Sequence, residues 1–279
     1  MKINEIHLGD CLELMWQIPD HSIDMVLCDL PYGTTACAWD SIIDLDLLWE
    51  HYKRVIKPGG AIVLTGSQPF TTALINAGGL DWFKYEWIWD KVRPSGMQIA
   101  KVRPMQRHEN IVVFCKNSPI YNPVMVNRKV ETTSWAVKSS DASPLKYNDG
   151  KKRKYTHFYP QSIQAIPKPN PMEYIHPTQK PVALFAYLIN TYTNPGDLVL
   201  DNAAGSGTTA IAAIDTGRNW LLIEKDPEYY QVAKDRINKR LQQPFLPGTV
   251  TAHNKPFKPN YYQPGLPTSK ASKDSNNQS

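Results

Sequence analysis

Four short apolar runs in this chain each end in an acidic residue, and this pattern restricts the fold more than any other feature. Residues 3–8 lead into Gly9-Asp10, residues 23–28 into Asp29, residues 198–200 into Asp201 and residues 220–223 into Glu224. The runs at 23–28 and 198–200 have the apolar, β-rich character of strands buried on both faces. Helical periodicity fills the spaces between the strands. A short stretch lies at 12–18, and an amphipathic one at 44–56 (Leu45, Leu48, Trp49, Tyr52, Val55, Ile56) is closed by Lys57-Pro58-Gly59-Gly60, which reads as a C-cap. Further helices are predicted at 69–76, 182–192, 208–215 and 228–241, and further strands at 61–65, 85–89 and 111–115. Repeated strand–helix units of this length predict an α/β sheet, mostly parallel.

Two segments break the pattern. Residues 117–172 are rich in Asn, Ser, Lys and Pro and show no sustained period, so they are expected to form an irregular insertion. Residues 244–279 carry six prolines and four lysines among many Ser, Asn and Gln, a composition that predicts a tail without a core of its own. The expected division is 1–116, 117–172, 173–243 and 244–279.

Charge is distributed unevenly. Between Lys91 and Lys154 there are 14 Lys and Arg against 4 Asp and Glu, a local balance of +10, whereas the rest of the chain carries 17 against 22, or −5. An acidic body with a basic insertion suits binding to a polyanion such as nucleic acid. No apolar run reaches the roughly 18 to 20 residues of a membrane span, and the first ten residues hold no secretory h-region. The cysteines (Cys11, Cys28, Cys37, Cys115) form no CxxC pair, which argues against a zinc site or a disulfide scaffold and fits a reducing cytosol.

Two motifs carry chemistry. In Asp201-Asn202-Ala203-Ala204-Gly205-Ser206-Gly207-Thr208-Thr209, a strand delivers an acid into a glycine turn that opens a helix, so free N–H groups and a bare backbone can face a ligand. Glu224, about 20 residues on, is placed to accept from ribose hydroxyls. The third glycine of the dinucleotide fingerprint is missing, which counts against NAD or FAD. In Asp29-Leu30-Pro31-Tyr32 the acid can accept from an exocyclic N–H, the residue before proline aims the Leu30 carbonyl as a second acceptor, and Tyr32 can stack on a planar ring.

Together with Gly9-Asp10 and His176-Pro177-Thr178-Gln179-Lys180-Pro181, these motifs occur in the order found in the β-class amino-DNA methyltransferases, which methylate adenine N6 or cytosine N4. The chain resembles that family over about residues 3–240, and its Lys57–Gly60 and Gly66-Ser67-Gln68-Pro69-Phe70 pieces look similar too. The local flavour resembles phage and prophage adenine methylases. The resemblance implies a circularly permuted, Rossmann-like S-adenosylmethionine-dependent methyltransferase fold with an inserted target-recognition region. It implies duplex DNA as partner, a base flipped out of the helix, a site in the bacterial or phage-infected cytoplasm, and a homodimer.

By the same resemblance Asp29, Leu30, Pro31 and Tyr32 are catalytic. Asp10 and Cys11 would lie at the cofactor's adenine. Thr178, Gln179 and Lys180 would hold its methionine carboxylate. Asp201, Ala203, Gly205, Gly207 and Thr208 would line the methionine and ribose part, Glu224 would take the ribose hydroxyls, and Asp29 would border the same space. Arg93, Lys101, Arg103, Arg107, Arg128, Lys129, Lys151, Lys152, Arg153 and Lys154 would meet DNA. No metal is expected.

The chain departs from the family pattern twice. Leu30 stands where a proline is usual, and Asp201-Asn202-Ala203 replaces Asp-Pro-Phe, removing an apolar wall beside the cofactor. Asp before Pro-Tyr favours adenine, with cytosine N4, a DNA-binding relative without turnover, and an RNA or protein amide methylase as alternatives. Trp39-Asp40 could border a flipped base or simply pack. His108-Glu109 reads as a structural cap, and the alternating aromatics from Trp82 to Trp89 read as strand packing.

Overall fold

The structure is a computed structural model and describes residues 1–32, 43–135, 152–169 and 179–243. Thr178, Lys151, the Trp39-Asp40 pair and the 244–279 tail lie outside the described residues, as do the side chains of Lys129, Lys152 and Arg153.

The apolar runs become strands of one eight-stranded sheet. In chain order these are β1 (Glu5–Leu8), β2 (Ile23–Cys28), β3 (Ile56–Gly66), β4 (Phe83–Ser95), β5 (Gln106–Phe114), β8 (Ile163–Ala165), β9 (Leu198–Asp201) and β10 (Asn219–Glu224). They lie side by side as β1-β10-β9-β2-β3-β5-β4-β8. Neighbours from β1 to β3 are parallel, β5 runs antiparallel to both β3 and β4, and β8 is parallel to β4. The last two sheet strands therefore fill the space between the first two, and the two ends of the chain complete a single parallel region.

Period-two alternation divides the core between the two faces of the sheet. Met25, Leu27, Ala61, Val63, Val199 and Leu222 point toward α4 (Val182–Tyr192) and α5 (Thr208–Thr216), and Ile237 of α6 (Pro227–Leu241) joins them. Val26, Cys28, Ile62, Leu64, Leu200 and Ile223 point the other way, toward α1 (Cys11–Leu14), α2 (Leu45–Val55) and α3 (Phe70–Gly78). Burying each such aliphatic side chain contributes about 1.5–3 kcal/mol. Asp44 starts α2 by accepting from the Asp46 and Leu47 N–H groups at 3.0 and 3.2 Å.

The end of α2 differs from the expected glycine cap. The helix stops at Val55, and Ile56 already has the extended backbone of β3 (φ −72°, ψ 136°). Gly59 and Gly60 lie inside that strand, where a Cβ on Gly60 would stand 2.7 Å from the Asp24 carbonyl oxygen and 2.9 Å from Ile56. The glycine serves strand approach, with Lys57 salt-bridged to Asp24 at 2.7 Å beside it.

The segment read as irregular contains more order than its composition suggests. β6 (Val126–Trp135) and β7 (Lys152–Phe158) pair antiparallel in a separate two-stranded sheet. The flanking stretches belong to the body: Ile120 N–H bonds to the Gly59 carbonyl at 3.1 Å, Asn122 N–H to that of Thr191 at 2.7 Å, and β8 extends the main sheet. The aromatic alternation does pack as a strand, with Trp87 and Trp89 buried on one face of β4.

Candidate active site

The connections leaving β9 and β2 run to opposite faces, through α5 and α2 respectively, so a crevice opens between the two strands at their C-terminal ends. A cavity of about 860 Å³ occupies this position, within the usual range of ligand sites. Its lining includes the acids that end the strands, in sheet order Asp10, Glu224, Asp201 and Asp29. With strands about 4.8 Å apart, the row spans about 14 Å, enough for an extended nucleoside with a side arm.

At the β1 end, Asp10 caps α1 through the Leu12 N–H at 2.9 Å, and its other oxygen takes the Lys225 ammonium at 2.9 Å. Burial pushes its carboxyl up, but the Lys225 bond and charge together with the Leu12 and Glu13 N–H groups outweigh this and hold it below the ordinary aspartate value. Cys11, buried, begins the helix beside it. Leu8 is in register with Glu224, so both acids sit at neighbouring strand ends.

Glu224 accepts from the Gly205 N–H at 2.7 Å and the Asp226 N–H at 2.9 Å. Burial raises its pKa, and those bonds pull it back only partly. Asp201 receives Thr209 Oγ1 and the Ala203 N–H. Burial lifts its carboxyl to about 6 against these bonds. Gly205 and Gly207 have φ of +51° and +74°, the left-handed region that favours glycine. Arg236 of α6 locks the turn by donating to the Ser206 carbonyl at 2.9 Å and to Thr208 Oγ1 at 3.1 Å. Asn202 accepts from Tyr52 Oη of α2 at 2.6 Å, a bond a proline there could not receive. Ala203 is half-buried against the α1–α3 side of the core.

The centre is Asp29. Its Oδ1 accepts from Tyr32 Oη at 2.7 Å and from Thr65 Oγ1, and its Oδ2 takes the Lys180 ammonium at 2.6 Å. The Tyr32 ring lies 5.0 Å from Phe70, tilted by 31°. Leu30 is buried in the core and Pro31 lines the cavity. Lys180 also stands 3.3 Å from Glu109 Oε2, and Lys91 stands 3.2 Å from Glu109 Oε1. Burial pulls Lys180 down, but Asp29 and Glu109 outweigh this and raise it well above the usual lysine value. Burial likewise pushes Glu109 up, and the two lysines bring it below the usual glutamate value. Lys180 was expected at a methionine carboxylate, whereas the structure pairs it with these two acids. Gln179 lines the cavity beside it.

Glu109, Lys91 and Thr65 are the residues that motif reading missed, and His108-Glu109 is no mere cap. One signal was present. On β4 the buried alternation Trp87, Trp89 continues to Lys91, and on β5 Val113 and Ile111 continue to Glu109. A lysine and a glutamate on the buried face of paired strands require partners.

The basic residues fare differently from one another. Arg103 is exposed and lines the cavity, and Arg93 and Lys101 are exposed on the same stretch. Arg107 is gripped by both oxygens of Asp90 at 2.8 Å. Arg128 stacks on Phe158 at 3.8 Å within the hairpin, and Lys154 pairs with Glu131. Among the described residues, no cluster of His, Cys, Asp and Glu could hold a metal, and Cys11, Cys28 and Cys115 are free and buried.

A parallel sheet with a nucleoside-sized cavity at its switch point, acids at four strand ends and a glycine turn defines the class of α/β proteins that bind nucleotide-like ligands at the strand ends. In fold the chain is similar to M1.HpyAVI, solved as a complex with SAM, at TM-score 0.56 and 24% identity over 83% of this chain and 98% of that one. A family model described as DNA methylase matches residues 23–235, and this chain belongs to that N6/N4 DNA methylase family. Among relatives, it is 30% identical over 249 residues to the DNA adenine methyltransferase YhdJ of Escherichia coli (strain K12), covering 82% of this chain and 81% of that one. It is 29% identical over 264 residues to the type II methyltransferase M1.MboII of Moraxella bovis, covering 86% and 98%.

Proposed function

We propose that this chain transfers a methyl group from S-adenosylmethionine to the N6 amine of adenine in duplex DNA. The observation that carries the reading is Asp29 at the cavity floor, with one oxygen held by Lys180 and the other facing Tyr32 and Thr65 hydroxyls. An exocyclic N–H can take the place of the Tyr32 hydroxyl on Oδ1. The amine's lone pair is delocalised into the ring, so an anionic acceptor on its N–H biases the nitrogen toward attack. Tyr32, backed by Phe70, supplies an aromatic face for the base, which must leave the duplex to reach this depth.

The residues of the cavity fit the cofactor. Asp10 suits an adenine amine, Glu224 ribose hydroxyls, and Asp201 with the turn from Ala203 through Gly205 to Thr208 the remainder, with Cys11 and Gln179 in the same lining. The bound cofactor supplies an electrophilic methyl group on a sulfonium. The chain's part is to align the two partners and exclude water. Arg103, exposed in the cavity lining, and Arg93 and Lys101, exposed on the same stretch of chain, suit phosphate contacts, and the β6–β7 hairpin suits target recognition. No helix among the described residues is long and apolar enough to cross a membrane. The family resemblance extends the reading to a homodimer acting in the bacterial cytoplasm.

The test is the product nucleoside after reaction with labelled S-adenosylmethionine and unmethylated bacterial DNA. N6-methyladenine is expected. N4-methylcytosine would move the target atom while keeping the fold, and cofactor binding without product would replace the reading by a DNA-binding relative.

A further inference from the structure

Two lysines and two acids alternate across the cavity floor in the order Lys91, Glu109, Lys180, Asp29, at successive distances of 3.2, 3.3 and 2.6 Å. Their side chains are nearly or largely withdrawn from water, at 3%, 14%, 7% and 18% exposure. Charges this withdrawn are retained only when paired, because desolvation costs several kcal/mol per ion. Pairing alone does not require the chain of four. Lys91 with Glu109, and Lys180 with Asp29, would each be neutral in isolation. Glu109 nevertheless faces both lysines: Oε1 accepts from Lys91, and Oε2, which has no hydrogen-bond partner of its own, lies in ion-pair range of Lys180, so the Lys180 ammonium is hydrogen-bonded to Asp29 and drawn toward a second carboxylate.

That second attraction matters for a residue of this type. Lysine carries a compact charge on a flexible four-carbon stem with three donors and no preferred fork. The same cavity is lined by Asp201, and a bound amino-acid ligand would bring a carboxylate of its own. A Lys180 held only by Asp29 could turn to either. Asp29 would then lose the contact that distinguishes its two oxygens.

We propose that Glu109 is a positioning residue for methyl transfer: it fixes the Lys180 ammonium on Asp29 Oδ2, leaving Oδ1 as the acceptor for the target amine, and Lys91 fixes Glu109 in turn. This inference rests on the reading of Asp29 as the amine acceptor. It assigns Lys180 to the target-base end of the cavity and leaves the ligand's carboxylate to other groups.

The test is Glu109→Gln in the full chain, measured as single-turnover methyl transfer to duplex DNA at saturating S-adenosylmethionine, with the affinities for cofactor and DNA measured separately. The rate should fall by about 10- to 100-fold, as expected when a reacting group is displaced by up to about 1 Å. Both affinities should stay within about twofold of the parent, the pattern of a group felt only in the transition state. A parent-like rate would overturn the proposal, and so would a loss of cofactor affinity as large as the loss of rate. If Glu109→Gln fails to fold, Lys91→Gln replaces it: a smaller rate loss with unchanged affinities supports the proposal, and a parent-like rate overturns it. An Asp29→Ala variant run in parallel separates the two claims. If Asp29→Ala is inactive and Glu109→Gln is fully active, only the positioning role falls; if both are active, the reading of Asp29 falls with it.

Discussion

The parallel and antiparallel halves of the sheet bring opposite things to the cavity. The parallel half presents a row of acids, Asp10, Glu224, Asp201 and Asp29, at the ends of β1, β10, β9 and β2. The antiparallel half contributes Lys91 and Glu109 from the inward faces of β4 and β5, and leaves Arg93 exposed near the end of β4 and Lys101 and Arg103 exposed on the stretch that joins the two strands. The acids follow from topology, since parallel strands all end on the same edge. The lysines follow from pairing: Lys91 and Lys180 occupy positions where a buried cation is tolerable only because Glu109 and Asp29 are already there. Neither half is electrically complete alone, and the proposed centre at Asp29 draws on both.

Asp201 is buried and paired with none of the lysines, and its carboxyl is raised to about 6. A folded-state value above the unfolded one means that Asp201 contributes stability fully present below its ordinary value of 3.8 and lost as pH rises through about 6. Asp201→Asn removes this dependence. The stability of the variant relative to the parent should therefore improve between pH 4 and pH 7, by on the order of 3 kcal/mol. Urea unfolding of both proteins at the two pH values checks this, and a constant difference would show that Asp201 has a partner the structure does not reveal.

On the basic side the expected effect is smaller. Arg103, exposed at the cavity mouth, should act through phosphate alone, so Arg103→Ala should lower the salt slope of DNA affinity by about 1 without changing sequence preference. Arg107, held by Asp90, serves as the internal control and should change the slope less. Equal slopes for Arg103→Ala and the parent would mean that the cations at the mouth do not meet the backbone.

How much of this was legible in the sequence also follows the division between the halves. In the parallel half, strand runs, strand-end acids and the glycine turn all appear in the residue order, and the helix at 182–192 coincides with α4. The one error there was Gly59-Gly60, read as a helix cap because glycine ends helices often. Here glycine serves strand-to-strand approach, a long-range contact with Asp24 that no local pattern encodes. Beyond the parallel half, β8 at the far edge of the sheet and the separate β6–β7 pair were missed because a three-residue edge strand and a polar hairpin show no sustained apolar period. Glu109 was misread for a related reason. Its partners are 18 and 71 residues away, so its role depends on tertiary placement. Only the continuation of the buried alternation into Lys91 and Glu109 hinted at it.

The central claim is that Asp29, where the two halves meet, receives the target amine. It is tested most directly by comparing the parent with Asp29→Ala, using labelled S-adenosylmethionine and unmethylated bacterial DNA with separation of the product nucleosides. The account predicts N6-methyladenine from the parent and at least about 100-fold less from the variant, the scale of losing one preorganised contact to the reacting group, with cofactor binding retained. N6-methyladenine formed by Asp29→Ala at the parent's rate would contradict it.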